Sequence, residues 1–333
     1  MTIDALPDVA LLEIFHFYVD GLESGIKAAW YTLVHVCHRW RSIVFLFGSP
    51  DSPRRLNLRL YCTHNTPMTK TLKLWPPFPI VISVCSHEIR DIKNILAALK
   101  HNRTCEVRLW RAPTSQIKKV VESMRQPFPA LTHLTLEPGE DDTVLEVSTS
   151  FLGGSAPLLQ SIHFYHLSFP GLPKLLLSAT HLVHLSLAGI PHSGYISPEV
   201  MVSCLSVLTR LKDIHIGFES RRSCPGQKSE RPPLETRILP NLTKLDFRGA
   251  SEYLEDLVAR IKAPLLDEFE IIFFHQLKFD TPQLTEFIRR TPKFEANDES
   301  HVAYSDPNIL VTIPQTLDGK IDLRVLCRLA SQA

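Results

Sequence analysis

One short phrase recurs along this chain and limits what it can fold into: an apolar residue, a polar one, then an apolar one. It stands at Leu56-Asn57-Leu58, Ile82-Ser83-Val84, Val107-Arg108-Leu109, Leu134-Thr135-Leu136 and Ile162-His163-Phe164. It continues at Leu185-Ser186-Leu187, Ile214-His215-Ile216, Leu245-Asp246-Phe247 and Phe269-Glu270-Ile271. Side chains alternate along a strand, so the flanking residues share one face and the middle residue takes the other. The first positions lie 23 to 31 residues apart. That is the spacing of a stack whose unit is one strand and a return segment. Proline precedes the first apolar position by five residues in five units, at Pro77, Pro129, Pro157, Pro240 and Pro264. Proline cannot continue a helix and pushes its predecessor toward extended backbone, so it punctuates the unit at a fixed point.

The segments between phrases are partly helical in pattern. Ile89, Ile92, Ile95, Leu96 and Leu99 recur at helical spacing, as do Leu254, Leu257, Val258 and Ile261. Ser197-Pro198, Ser251 and Thr281-Pro282 suit helix starts. A layer of strands against a layer of such returns puts the core between them. Trp75-Pro76-Pro77-Phe78-Pro79 reads as a stiff connector with its aromatics packed. Residues 218–237 break the pattern and read as an exposed loop between the seventh and eighth units, either a contact site or a solvated insertion. Glu137-Pro138-Gly139-Glu140-Asp141-Asp142 is a smaller acidic loop. His301-Val302-Ala303-Tyr304 and Ile309–Ile313 look like strands, and the last twenty residues are expected to cap the stack.

Residues 1–47 differ from all that follows. Leu11, Leu12, Ile14, Phe15, Phe17 and Tyr18 suit a very apolar helix after Pro7. Trp30, Leu33, Val34 and Val36 make a second stripe, and residues 36–43 a third helix. Three short helices in so few residues cannot bury this much apolar surface unaided. They cap the first repeat, or they present apolar surface to another protein.

Leu6-Pro7-Asp8, Leu11-Leu12-Glu13-Ile14-Phe15 and Val36-Cys37-His38-Arg39-Trp40-Arg41, in this order and separation, resemble an F-box. Ser52–Leu58 is similar to the segment that follows it in fungal-type members. The phrases with an earlier leucine, Leu131-x-x-Leu134-x-Leu136, Leu182-x-x-Leu185-x-Leu187 and Leu242-x-x-Leu245-x-Phe247, resemble the leucine-rich repeat. The match is loose: the units vary in length, and the Asn or Cys that follows the strand in that family is mostly missing. The resemblance implies an α/β chain. A three-helix F-box (1–47) and a linker (48–55) precede a curved, ribonuclease-inhibitor-like leucine-rich-repeat solenoid with a parallel sheet (56–313), closed by a C-terminal cap (314–333). It further implies that Leu6, Pro7, Leu11, Ile14, Val36, Cys37 and Trp40 meet a Skp-type adaptor, and through it a cullin. The chain would then be the substrate-recognition subunit of an SCF-type ubiquitin ligase. The alternative is a repeat scaffold that binds proteins without promoting ubiquitination.

In a curved array the outward strand residues line one concave wall. Arg108, Trp110, Glu137, His163, Tyr165, His215, Asp246, Arg248 and Glu270 are the candidates for binding a target protein; aromatic and arginine side chains are common interface anchors. The other reading of that wall is a solvated sheet face. No GxGxxG, P-loop, GxSxG or HExxH is present, so no catalytic residue and no cofactor is expected. His163-x-x-His166 and His181-x-x-His184 lie on a strand and its flank, where both rings would not face one ion, so no metal site is expected. With 36 basic and 35 acidic residues, net charge suggests neither nucleic acid nor anionic membrane as a partner. The seven scattered cysteines and the polar start Met1-Thr2-Ile3-Asp4 suggest a reducing compartment, cytoplasmic or nuclear. No apolar run reaches the length of a membrane span.

Overall fold

A computed structural model describes residues 3–20, 30–48, 56, 58–85, 92–139, 143–224, 236–274 and 281–295, together with the strands 301–305, 308–313 and 323–328. A twelve-stranded sheet runs through it. In chain order its strands are β1 (Leu60–Cys62), β2 (Ile80–Cys85), β3 (Thr104–Ala112), β4 (His133–Pro138), β5 (Ser161–Tyr165) and β6 (His184–Ile190). They continue as β7 (Asp213–Phe218), β8 (Lys244–Gly249), β9 (Glu268–Phe274), β10 (His301–Ser305), β11 (Asn308–Ile313) and β12 (Leu323–Arg328). Strands β1 to β9 lie side by side in chain order, all parallel.

The register follows the repeated phrase. Ile82 stands opposite Val107, Val107 opposite Leu134, and Leu134 opposite Ile162. The series runs on through Leu185, Ile214 and Leu245 to Phe269. Every flanking residue of these eight phrases is buried. A slip of one residue would turn all of them to the opposite face, so burial fixes the alignment. The first phrase does not join it: Cys62, not Leu56, stands opposite Ile82. Leu56, Leu58, Leu60 and Cys62 are all buried, so the alternation there is longer than the strand. Asn57 lies outside the described residues.

A common turn explains four of the five prolines; Pro77 stands outside it, since the fourth residue there is Pro79, which has no N–H to donate. The amide of Leu131 donates to the carbonyl of Phe128, Leu159 to Ala156, Leu242 to Leu239 and Leu266 to Ala263. Pro129, Pro157, Pro240 and Pro264 each occupy the second position of that four-residue turn, where a φ near −65° is required. Leu182 to Ala179 and Leu211 to Leu208 make the same turn without proline. The residue after each turn leucine then bonds the preceding unit, as Thr132 N–H does to Cys105 O at 2.8 Å and Thr243 N–H to Lys212 O at 2.8 Å.

Ahead of the sheet stand α1 (Asp8–Asp20), α2 (Trp30–Val36) and α3 (His38–Gly48). Arg39 ties α3 to the start of α1, donating to Asp8 Oδ1 at 2.6 Å and to the Leu6 carbonyl at 2.5 Å. An aromatic cluster joins the helices to the first units. Trp30 is buried, donates its indole N–H to Arg59 O at 2.9 Å, and has its ring 5.3 Å from both Trp75 and Phe78. Tyr31 and Phe45 also approach Trp75. The Trp75–Pro79 connector is thus packed, as its composition suggests. The Gly21–Gly25 break and residues 49–55 of the linker lie outside the described residues.

The returns carry α4 (Met68–Leu74), α5 (Lys93–Leu99), α6 (Thr114–Ser123), α7 (Leu172–Ser178), α8 (Pro198–Leu205), α9 (Ser251–Ala259), α10 (Pro282–Arg290) and α11 (Pro292–Glu295). Ile89 of the α5 stripe lies outside the described residues. Ser197 caps α8 by accepting from Val200 N–H at 3.4 Å. Ser251 sits inside α9 rather than capping it. At α10 the side chain of Thr281 makes no cap bond; Glu255 of α9 instead accepts from Gln283 and Leu284 N–H at 2.9 and 2.8 Å. A carboxylate on one return helix thus satisfies the free amides of the next.

Two segments differ from expectation. The 218–237 loop is structured at both ends. Phe218 is the buried last residue of β7, Arg221–Ser223 form a 3-10 turn, and Arg237–Ile238 pair in parallel with Ile261–Lys262. Residues 225–235 lie outside the described residues, as do 140–142 of the acidic loop. At the far end, β12 inserts beside β9 in parallel, with Leu323 opposite Phe269, while β11 and β10 follow antiparallel. Leu323-Arg324-Val325 therefore repeats the phrase once more inside the segment read as a cap, and the sheet's edge is β10. Residues 314–322 and 329–333 lie outside the described residues.

Candidate binding surfaces

The face of the sheet opposite the core carries two rows of side chains. One row is the middle position of each phrase, running from Arg108 on β3 to Glu270 on β9. The other lies two residues later: Trp110, Glu137 and Tyr165 on β3 to β5, Ala188 and Gly217 on β6 and β7, then Arg248 on β8. The nine candidate target residues fall into two groups along these rows.

The first group is centred on Trp110, whose ring stacks on His163 with centroids 6.0 Å apart and planes 3° from parallel. His163 Nε2 lies 3.4 Å from Glu137 Oε2, and Arg111 approaches the same carboxylate at 3.9 Å. Burial pushes the His163 pKa below its ordinary value against the opposing pull of Glu137. Arg108 pairs with Glu106, a buried carboxylate that also meets Arg59 at 3.1 Å. Buried acids need such partners. Glu106 precedes a phrase, and the alternation gives no sign of it.

The second group is Tyr165, His215, Asp246, Arg248 and Glu270, which line a recess of about 410 Å³ together with His166 and Glu219. Its origin is a loss of side chains. Tyr165 and Arg248 stand on either side, and Ala188 and Gly217 between them leave the floor low. Strand β6 bulges here: its register to β7 shifts between Leu187 and Ile190, and Gly189 has φ +60°. His166 Nε2 approaches Glu219 at 3.5 Å. His215 Nδ1 and Lys244 Nζ lie 3.9 and 3.8 Å from Asp246 Oδ2. The Arg248 guanidinium sits over the Phe274 ring at 5.7 Å. Two buried atoms, Asp246 Oδ1 and Arg248 Nε, have no hydrogen-bond partner among the described residues. His166 and Glu219 lie at strand ends outside the phrase, so the sequence pattern does not mark them.

The second surface belongs to the front end. Of its seven candidate residues, Pro7, Ile14 and Val36 are exposed, and Leu6, Cys37 and Trp40 are partly covered. Leu11 is a correction: it is fully buried with Leu12 and Phe15 on the inner face of α1, so its side chain cannot meet a partner. Trp40 packs edgewise on Phe15, with centroids 4.9 Å apart. The structure adds Ile3, Val9, Phe17, Tyr18 and Leu46 as exposed apolar residues, with Phe17 81% exposed. Phe17 lies three residues after Ile14, on the same side of α1.

The histidines with metal-like spacing go to separate partners. His163 meets Glu137, His166 meets Glu219, His184 Nδ1 lies 2.5 Å from Asp213, and His181 Nδ1 lies 2.9 Å from Pro157 O. Among the described residues no group of three metal-ligating side chains converges, and no helix is long and apolar enough to cross a membrane. A scan against protein-family models gave no match, and neither did a comparison with curated proteins.

Proposed function

We propose that this chain is a non-catalytic receptor of an SCF-type ubiquitin ligase, with its front helices on a Skp-type adaptor and its open sheet face on a target protein. The observation that carries the reading is the apolar surface left open on the front end. Ile3, Val9, Ile14, Phe17, Tyr18, Val36 and Leu46 are exposed within residues 3–46, while the inner face of α1 packs through Phe15 on Trp40 of α3, and α2 and α3 meet the first repeat units through Trp30 and Phe45. Single exposed apolar residues are ordinary; seven on so small a helical unit form the kind of surface that another protein covers. The F-box resemblance of Leu6-Pro7 and Val36-Cys37-x-x-Trp40 names that protein. The open sheet face supports the second half, with Trp110 and Tyr165 each close to half exposed beside arginines and carboxylates.

The test uses the full chain with purified Skp-type adaptor and cullin. Wild-type protein should retain both. Ile14→Ser with Phe17→Ser should lose both while keeping its thermal midpoint, because both side chains already face water. Retention of the adaptor by that variant would contradict the assignment of this surface. Adaptor binding without cullin would favour the scaffold reading.

A further inference from the structure

Among the described residues three that are not glycine hold a positive φ: Arg111 at +50°, Leu152 at +54° and His166 at +55°. A Cβ makes that conformation costly, so a side chain kept there must do something that glycine could not. For Leu152 that is packing, since its side chain is fully buried in the core. For His166 it is the contact with Glu219 at the recess. Arg111 does neither. Its side chain is 63% exposed, and its ion-pair contact among the described residues is with Glu137 Oε1 at 3.9 Å. So long and open a pair adds little to stability.

Arg111 is also out of step with its strand. Val107 and Leu109 face the core, so strict alternation would send the residue at 111 there as well. Instead the register of β3 on β4 shifts between Trp110 and Ala112, and Ala112 takes the buried place. The extra residue is turned outward, so Trp110 and Arg111 both stand on the open face. The same device recurs on two further strands. On β5 Tyr165 is followed by His166 at positive φ and then by buried Leu167. On β6 Ala188 is followed by Gly189 at positive φ and then by buried Ile190. Gly189 is the residue this backbone prefers. On β3 the chain keeps an arginine in its place, beside an indole that is close to half exposed.

What this half of the face shows to solvent is cationic. Glu106 and Glu137 are sunk in it, with side chains 4% and 16% exposed, whereas Arg108 and Arg111 stand out. A basic group arriving there would be repelled, and a neutral one would leave the Arg111 charge unmatched. A carboxylate fits the planar fork of a guanidinium. We propose that Trp110 and Arg111 form one anchor for an acidic side chain of the target, its carboxylate paired with the Arg111 guanidinium and its apolar neighbours laid on the Trp110 indole. The proposal rests on reading this face as the target wall. Tryptophan and arginine are the side chains most enriched where interfaces carry their binding energy.

The probes are peptides of the form acetyl-Ala-Leu-X-Leu-Ala-amide, titrated against the full chain by calorimetry. The peptide with X as Glu should bind at least about tenfold more tightly than those with Gln or Lys, as charge-assisted hydrogen bonds imply. Arg111→Gly should remove that preference while the urea midpoint stays the same or rises, because glycine suits this φ. Arg111→Glu should invert the preference, so that the Lys peptide binds more tightly than the Glu peptide. Trp110→Ala should weaken all three peptides by a similar factor, since the indole meets the flanking leucines and not X. A Glu preference that survives Arg111→Gly or Arg111→Glu would overturn the anchor. So would equal binding of the three peptides to the wild-type chain, or no binding of the Glu peptide. A urea midpoint that falls in Arg111→Gly would show that the side chain serves the fold, and would overturn it as well. Failure of the wall itself is read separately: capture of a target protein that survives Trp110→Ala, Tyr165→Ala and Arg248→Ala together removes the wall, whereas capture lost in that triple variant but kept in Arg111→Gly removes only the acidic anchor.

Discussion

Trp30→Ala should release the front helices from the rest of the chain. Trp30 is 2% exposed, and its ring touches Tyr31, Trp75 and Phe78 while its indole N–H bonds Arg59 O at 2.9 Å. Truncating a buried tryptophan to alanine costs roughly 3–5 kcal/mol. If that energy holds α2 in place, the free energy that opens α2 falls by the same amount. Its amides should then exchange with deuterium about 10²- to 4 × 10³-fold faster, at about tenfold per 1.4 kcal/mol. Trp30→Phe keeps most of the ring contact and loses the hydrogen bond, about 1 kcal/mol, so about fivefold faster exchange is expected. Peptides spanning β7 and β8 serve as the internal reference, because stacked units touch only their neighbours and should not register the change. Less than a threefold effect on α2 in Trp30→Ala, or an equal effect on β7 and β8, would refute the claim that this ring is the joint.

Gly189→Ala should cost roughly 1–2 kcal/mol in urea unfolding. Gly189 has φ +60°, a conformation unfavourable for any residue with a Cβ, and the nearest atoms to that Cβ would be at an ordinary 3.5 Å, so the cost is backbone strain alone; an unchanged midpoint would count against the bulge. Stability should also fall with acid. Burial holds His133 and His163 below the ordinary imidazole value of 6.5, against the pull of Glu106 and Glu137 respectively. The unfolded chain therefore takes up protons that the folded chain does not. The contribution is full above 6.5 and is lost as pH falls from there through the folded values. Urea midpoints should be lower at about pH 5.5 than at about pH 7.5, and His133→Gln with His163→Gln should shrink that difference; a difference of unchanged size would assign it elsewhere.

The repeat was legible because one local constraint acts on every strand from β2 to β9 and a second, independent one on four of the units. One face of every strand is buried, so Ile82, Val107 and their successors could align in only one way. The prolines mark a turn whose second position wants their fixed φ. Where either constraint lapses, the sequence misleads. Leu56 through Cys62 alternates across four buried positions, and nothing local says which pair faces Ile82. Leu323-Arg324-Val325 has the phrase, but it reaches β9 only after a hairpin has intervened, and pairing across that distance leaves no local trace. On α1, Leu11 and Ile14 are equally apolar. Which of them faces outward depends on where α2 and α3 stand, with Phe15 beside Leu11 packed on Trp40.

The recess shows why a list of outward residues falls short of a site. Its candidates Tyr165, His215, Asp246, Arg248 and Glu270 were readable one at a time from the period-two pattern. What gathers them is Ala188 and Gly217, two positions in the same row that carry almost no side chain, on strands whose adjacency only the register reveals. The same row on β3 to β5 is filled by Trp110, Glu137 and Tyr165, and there the surface closes over itself in a ring stack and an ion pair. One sheet face thus presents a filled half and an open half.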